Sequence, residues 1–189
     1  MEETKPKIII HVCCAVCGSA LVELLKERFD PVIFFYNPNI YPKEEYGKRK
    51  ESVERLAELS DVEFVGGSYE NDNWLKQVKG LEKELEGGKR CDVCFKSRLS
   101  KVAEFAKKSE AVYFTSTLFL SPQKNEALIS KIGEQIGNQF GLTFLRFQDL
   151  GINKKDFWQK TKELSEKKKF YHQNYCGCVF STKNTACKV

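Results

Sequence analysis

Eight of the 189 residues are cysteines, and they are the side chains of this chain best suited to chemistry. Seven fall in clusters: Cys13, Cys14 and Cys17; Cys91 and Cys94; Cys176 and Cys178. Cys14 and Cys17, like Cys91 and Cys94, are separated by two intervening residues, close enough in sequence for two thiolates to converge on one ion. Two such pairs serve a four-thiolate zinc site or an iron-sulfur cluster equally well, and a redox dithiol or buried structural thiols remain open beside them. A structural zinc is complete at four ligands, so seven clustered cysteines favour a cluster together with a second metal or a dithiol. Tyr175-Cys176-Gly177-Cys178 is different chemistry. Thiols so close in sequence form only a strained, readily reduced disulfide, which suits a redox or metal-capturing role unless they are two thiols of a frayed tail. Cys187, near the end, reads as incidental.

Other candidates sit next to these thiols. Asp92 lies between Cys91 and Cys94 and is a candidate metal ligand or proton donor, or else a helix-capping carboxylate. His11, inside an apolar run, reads as a satisfied core histidine. His172 lies in a polar tail. Lys167-Lys168-Lys169 interleave with Phe170, Tyr171 and Tyr175, a pattern that suits phosphates and stacked bases or, alternatively, a solvated helix end.

The elements that must position these residues follow from periodicity. Lys7 to Val12 is a β-branched apolar run, the pattern of a strand buried on both faces, and it ends at the first cysteine cluster. The spacing then predicts a helix over Ser19 to Arg28, a strand over Val32 to Tyr36, a helix over Glu44 to Leu59 and a strand over Val62 to Val65. Beyond these come a helix over Asp72 to Glu86, ended by Gly87-Gly88, and another over Phe95 to Lys108. A strand over Ala111 to Thr117, a helix over Glu126 to Phe140, a strand over Thr143 to Phe147 and a helix over Lys155 to Lys168 complete the chain. Five strands alternating with helices imply an α/β fold with a mostly parallel sheet and right-handed crossovers. Ligands in such sheets bind outside the carboxyl ends of the strands, which is where Cys13, Cys14 and Cys17 fall. At this length the expectation is one domain over residues 1–189, with residues 155–189 forming a basic helix and a cysteine-bearing tail packed on it.

Composition narrows the classes. Hydrophobic residues make up 41% and charged residues 30%, with 14 Phe, 7 Tyr and 2 Trp, which is the composition of a folded globular chain. The run Ile8 to Val12 is far too short for a membrane span, and Glu2, Glu3 and Lys5 do not resemble a signal peptide, so a cytoplasmic location is expected. A reducing cytosol argues against a disulfide framework. Net charge is +5, which permits an anionic partner without requiring one. The sequence has no G-x-x-x-x-G-K-[ST], no G-x-G-x-x-G and no H-E-x-x-H, so ATP, NAD and zinc-peptidase chemistry are unsupported.

The same residues carry a likeness. Five groups in one order, spanning His11 to Cys178, resemble the cobalamin-independent epoxyqueuosine reductases. They are Cys13-Cys14-x-x-Cys17; Tyr36-Asn37-Pro38-Asn39-Ile40 with Glu45-Tyr46; Arg90-Cys91-x-x-Cys94 with Arg98-Leu99; Ser116-Thr117-Leu118 with Ser121-Pro122 and Lys124-Asn125; and Tyr175-Cys176-Gly177-Cys178. Val16 stands where that pattern commonly has proline, which relaxes the cysteine loop. Gln123 stands where it commonly has histidine, which counts against an acid role there.

The resemblance implies a Rossmann-like iron-sulfur enzyme that removes the epoxide oxygen of epoxyqueuosine in tRNA, the last step of queuosine biosynthesis. It implies that Cys13, Cys14, Cys91 and Cys94 hold a [4Fe-4S] cluster and that Cys176 and Cys178 form a redox pair. Cys17 and Asp92 are left for a neighbouring mononuclear iron. The implied partners are a tRNA anticodon loop and an external electron donor, with no cobalamin and no membrane. On this reading Lys167 to Lys169 and Arg98 meet phosphates of the RNA. The competing class is a zinc-stapled RNA-binding module without catalytic activity.

Overall fold

The structure is a computed structural model and describes residues 4–181; Cys187 lies outside them. Its centre is a five-stranded sheet built from β1 (Lys7–His11), β2 (Asp30–Phe35), β3 (Glu63–Gly66), β4 (Tyr113–Ser116) and β5 (Thr143–Phe144). The strand order is β3-β2-β1-β4-β5 and every pairing is parallel, with Ile9 opposite both Val32 and Phe114. Ile8, Ile9 and Ile10 are wholly buried because helices cover both faces of the central strand.

Five α-helices of the described residues lie in the crossovers, α1 (Ala15–Lys26), α2 (Lys43–Ser60), α3 (Asn71–Gln77), α4 (Lys89–Lys108) and α5 (Glu126–Phe140), and a sixth, α6 (Lys154–Lys168), follows the last strand. The chain winds outward from β1 to β3 and then returns to the other side of β1 for β4. This reversal opens a crevice at the carboxyl ends of β1 and β4, the place where such sheets bind ligands. Gly18 lets α1 lie close to the sheet, since a Cβ there would meet Leu56 Cδ2 at 2.8 Å and Val12 Cγ1 at 2.9 Å.

Three expected boundaries move, each for a local reason. α1 starts at Ala15, with Cys14 as its N-cap, so Cys17 is helical rather than in a loop. The helix expected over Asp72 to Glu86 stops at Gln77. Beyond it the Arg90 guanidinium gathers the carbonyls of Leu81, Glu82 and Glu84, and Gly80 takes a left-handed φ of 87°. Those carbonyls are thereby diverted from a helical ladder. α4 begins at Lys89, not Phe95, which places Cys91 and Cys94 three apart on its first turns and so on one helix face.

The segment after α6 returns along α2. Arg55 donates to the Lys169 carbonyl (3.4 Å), the Tyr171 N–H donates to Ser52 Oγ (3.3 Å) and the Tyr171 hydroxyl donates to Glu45 (2.7 Å). The return ends where Cys178 bridges Ile40, just beyond β2. No helix of the described residues is long and apolar enough to cross a membrane.

Candidate active site

The site begins with the carboxyl end of β1. His11 is fully buried; its Nε2 bonds the Tyr36 carbonyl (3.0 Å) and its Nδ1 meets Ser116 Oγ (2.7 Å). A carbonyl only accepts, so Nε2 carries the proton and Nδ1 accepts from the serine. Burial, reinforced by the Arg98 charge, lowers the His11 pKa well below its ordinary value and keeps the ring neutral. His11 therefore joins the ends of β1, β2 and β4, as its reading as a core histidine anticipated. Asn37 adds a second tie, donating to the Val12 carbonyl (3.0 Å) and accepting from Arg98 of α4.

On this frame stands the first thiol group. The Cys13 N–H donates to Thr117 Oγ1 at 3.1 Å, and the Cys13 thiol lies 3.2 Å from the same hydroxyl. Cys13, Cys14 and Cys17 interact in series. Cys13 is raised far above its ordinary value by its hydrogen bond with Cys14 and by burial. For Cys14 the bond with Cys13 pulls downward, but the bond with Cys17 and burial outweigh it and push the thiol up to about 11.

The second group comes from three distant segments. Cys91, Cys94, Cys176 and Cys178 line one cleft together with Trp74, Arg98 and Lys124. Burial pushes Cys91 up to about 11 although the Gly87 N–H reaches its sulfur at 3.2 Å. Burial raises Cys94 against the pull of Arg98, and burial with the neighbouring Cys176 pushes Cys178 up to about 12. All seven cysteines of the described residues are free thiols.

What holds Cys176 and Cys178 in place is a clamp from α2 that the sequence did not reveal. Arg49, only 2% exposed, donates to the Tyr175 carbonyl (3.0 Å), the Cys176 carbonyl (3.2 Å) and Glu45 (2.7 Å). The Tyr41 N–H takes the Gly177 carbonyl at 2.8 Å. Three successive carbonyls of the Cys-Gly-Cys turn are thus fixed from one side. Gly177 is required there: its φ is 102°, and a Cβ would come within 2.9 Å of Ile40 Cγ1.

Two cations stand between the thiol groups. Arg98 is 2% exposed and its Nε has no acceptor. Burial disfavours the Lys124 ammonium, but the sulfurs of Cys13 and Cys176 more than compensate and hold its pKa above the usual range. Trp74 Nε1, also buried without an acceptor, lies against Cys94. Unpaired buried donors are costly unless something accepts from them. A cluster ligated by four thiolates is anionic and offers sulfur acceptors, so these donors fit it. The first turns of α1 and α4, next to Cys14 and Cys91, add a field that favours anions. Among the described residues no three His, Cys, Asp or Glu side chains stand in position to hold a metal ion.

Several expected residues are placed elsewhere. Arg98 is buried against Asn37 and Cys94, so it is not available to an RNA phosphate. Lys167 to Lys169 end α6 at the opposite pole, where Lys168 pairs with Glu23 at 3.5 Å. Glu23 lies six residues beyond Cys17 on α1, ~9 Å farther from the cleft. Asp92 is half-buried on the first turn of α4 and is not among the cleft-lining side chains.

Known proteins resemble the chain along nearly its whole length. Residues 8–184 match the family described as epoxyqueuosine reductase QueH. The chain is 36% identical over 186 residues to the epoxyqueuosine reductase QueH of Acinetobacter baylyi, covering 98% of this chain and 84% of that one. It is 38% identical over 177 residues to the QueH of Thermotoga maritima, covering 92% of this chain and 89% of the relative. Among solved structures it is similar in fold to the U34-tRNA thiolase NcsA from Methanococcus maripaludis with its [4Fe-4S] cluster, with a TM-score of 0.62 and 13% identity. That similarity covers 97% of this chain and 65% of the thiolase. With the family pattern matched along nearly its whole length and its cysteines gathered at the crevice of the sheet, the chain belongs to the epoxyqueuosine reductase QueH family.

Proposed function

We propose that this chain is a cytoplasmic enzyme that reduces the epoxide of epoxyqueuosine in tRNA to the cyclopentene of queuosine. The observation that carries the reading is the meeting of the two thiol groups, drawn from residues 13–17, 91–94 and 176–178, around Arg98, Lys124 and Trp74. Cys13, Cys14, Cys91 and Cys94 would hold a [4Fe-4S] cluster, which when bound supplies one-electron chemistry. The second iron expected at Cys17 and Asp92 rests on the resemblance alone.

Removing the epoxide oxygen as water consumes two electrons and two protons. Oxidation of the Cys176 and Cys178 thiols to a disulfide releases the same number of each, so the pair closes the balance, and an external reductant returns it to the dithiol. The Arg49 clamp keeps the turn ready in its reduced form. Lys124, a cation facing the same cleft, stabilises charge that develops on the oxygen as the carbon-oxygen bond breaks.

Anaerobic purification tests the proposal. Iron, acid-labile sulfide and zinc are measured per chain beside a visible spectrum, followed by turnover on tRNA bearing the epoxide. About four iron and four sulfide with reduction of the base are expected. One zinc without sulfide, persisting after iron-sulfide reconstitution, overturns the reductase and leaves the zinc-stapled module.

A further inference from the structure

The described residues expose five large apolar side chains, and they divide by location. Leu59 and Val112 lie at the amino ends of the strands, near the close of α2 and the start of β4. Tyr41 (46% exposed), Leu75 (36%) and Leu85 (73%) belong to the segments that wall the thiol cleft. Leu75 follows Trp74, and Leu85 precedes Glu86 and Gly87 of the cleft lining. Tyr41 is the aromatic one, and its backbone is held on both sides by the redox-cysteine turn. Its N–H donates to the Gly177 carbonyl and its carbonyl accepts from the Tyr175 hydroxyl. Its exposed ring stands on a fixed backbone in the groove beside the thiol cleft, a surface suited to stacking.

The charges around it are unequally committed. Lys43, Lys76, Lys83 and Lys89, on the same segments, are exposed, and none is in an ion pair among the described residues. The carboxylates beside them have internal work. Glu70 accepts from the Tyr36 hydroxyl (2.7 Å), Glu82 from the Gly80 N–H (2.9 Å) and Glu84 from the Lys89 N–H (3.1 Å). Glu44 and Asp72 occupy the first turns of α2 and α3, where the helix ends favour them. Tyr41, Lys43 and Lys76 line one groove, which Glu70 and Asp72 share; with Glu70 bonded to Tyr36 and Asp72 at the start of α3, the two lysines and the ring are the combination that binds single-stranded nucleic acid by backbone charge and base stacking.

We infer that the rim formed by Tyr41, Lys43 and Lys76 is the RNA-docking surface, with Tyr41 stacking on an unpaired base next to the one that enters the thiol cleft. This rests on the reductase reading and moves the RNA contact from the α6 lysines to the opposite pole of the sheet. The stacking geometry requires a splayed single-stranded loop, because a paired base offers no free face.

The test measures binding of an unmodified RNA stem-loop to the purified holoprotein by fluorescence anisotropy across a salt series. Tyr41→Leu should weaken binding by about 5- to 150-fold, the value of one base stack, while Tyr41→Trp should bind within about twofold of the parent. Lys43→Gln with Lys76→Gln should reduce the salt slope by about 1.4, or 0.7 per phosphate on a single strand. Replacing Lys167, Lys168 and Lys169 together by Gln should leave affinity unchanged. Undiminished binding by Tyr41→Leu, or a loss confined to the α6 variant, overturns the docking surface but leaves the reductase reading intact. Absence of RNA binding by the parent protein overturns both. Iron content and thermal midpoint of each variant show whether it is folded and loaded.

Discussion

The two thiol groups are built in different ways. Cys13, Cys14 and Cys17 hang on one continuous stretch of chain, the end of β1 running into α1, and they belong to the main core around the sheet. Cys94 and Cys178 belong to a separate small core with Trp74 and Val78, against which Cys176, Val179 and Phe180 pack. That second core is assembled from α3, α4 and the returning tail, and its tail portion is held by Arg49, Glu45 and Tyr41. The first group is fixed by local geometry, whereas the second must be brought together across nearly half of the chain. The difference teaches which part of the site is set by neighbours in sequence and which part depends on long-range packing.

The comparison is broken most severely at a cluster ligand. Cys14→Ser should lose iron and sulfide to below about a tenth of the parent and abolish turnover, because serine offers no thiolate; a variant that keeps its iron removes Cys14 from the ligand set. Cys176→Ser should behave differently, keeping the cluster while ending multiple turnover on tRNA, and loss of iron there would count against a separate redox pair. Arg49→Gln comes next. Breaking a buried pair costs about 3–5 kcal/mol, and release of two carbonyls should raise the alkylation rate of Cys176 several-fold, read by mass spectrometry, with iron retained. An unchanged rate would mean that the turn is held by its bridge to Ile40 instead.

Gly18→Ala probes the first group through its support. The Cβ would press on Leu56 and Val12, an overpacking worth about 1–3 kcal/mol in denaturant unfolding, and a loss outside that range in either direction would show that α1 seats differently. The smallest effect is expected at Asp92→Asn, a first-turn acid worth about 0.3–1 kcal/mol to the helix. An iron-to-sulfide ratio that falls in this variant would restore Asp92 to a metal site.

Much of the frame was legible because it depends on neighbours in sequence. The helix expected over Glu126 to Phe140 has those limits in the structure, and the strand expected from Lys7 is in place as β1. The helix expected over Asp72 to Glu86 failed where the guanidinium of Arg90, on the next helix, claimed the carbonyls that a helix would have used. The start of α4 was missed because the Gly87-Gly88 break was read as a longer interruption than it is. Trp74 and Lys124 carried little signal of their own, since a tryptophan and a lysine at helical or loop positions look the same whether they face solvent or a cleft.

The sequence by itself determined the alternation of strands and helices, the parallel sheet, the position of the first cysteines at a strand end, and the family pattern. These follow from periodicity and short spacings, which act over a few residues. Only the tertiary structure decided that residues 91–94 and 176–178 share a cleft with Arg98 and Lys124, that Cys13 and Cys17 lie near enough to Lys124 to act on its charge, and that Lys167 to Lys169 lie at the far pole. That outcome depends on the order in which strands pack and on how far each helix carries the chain, so no local pattern can contain it.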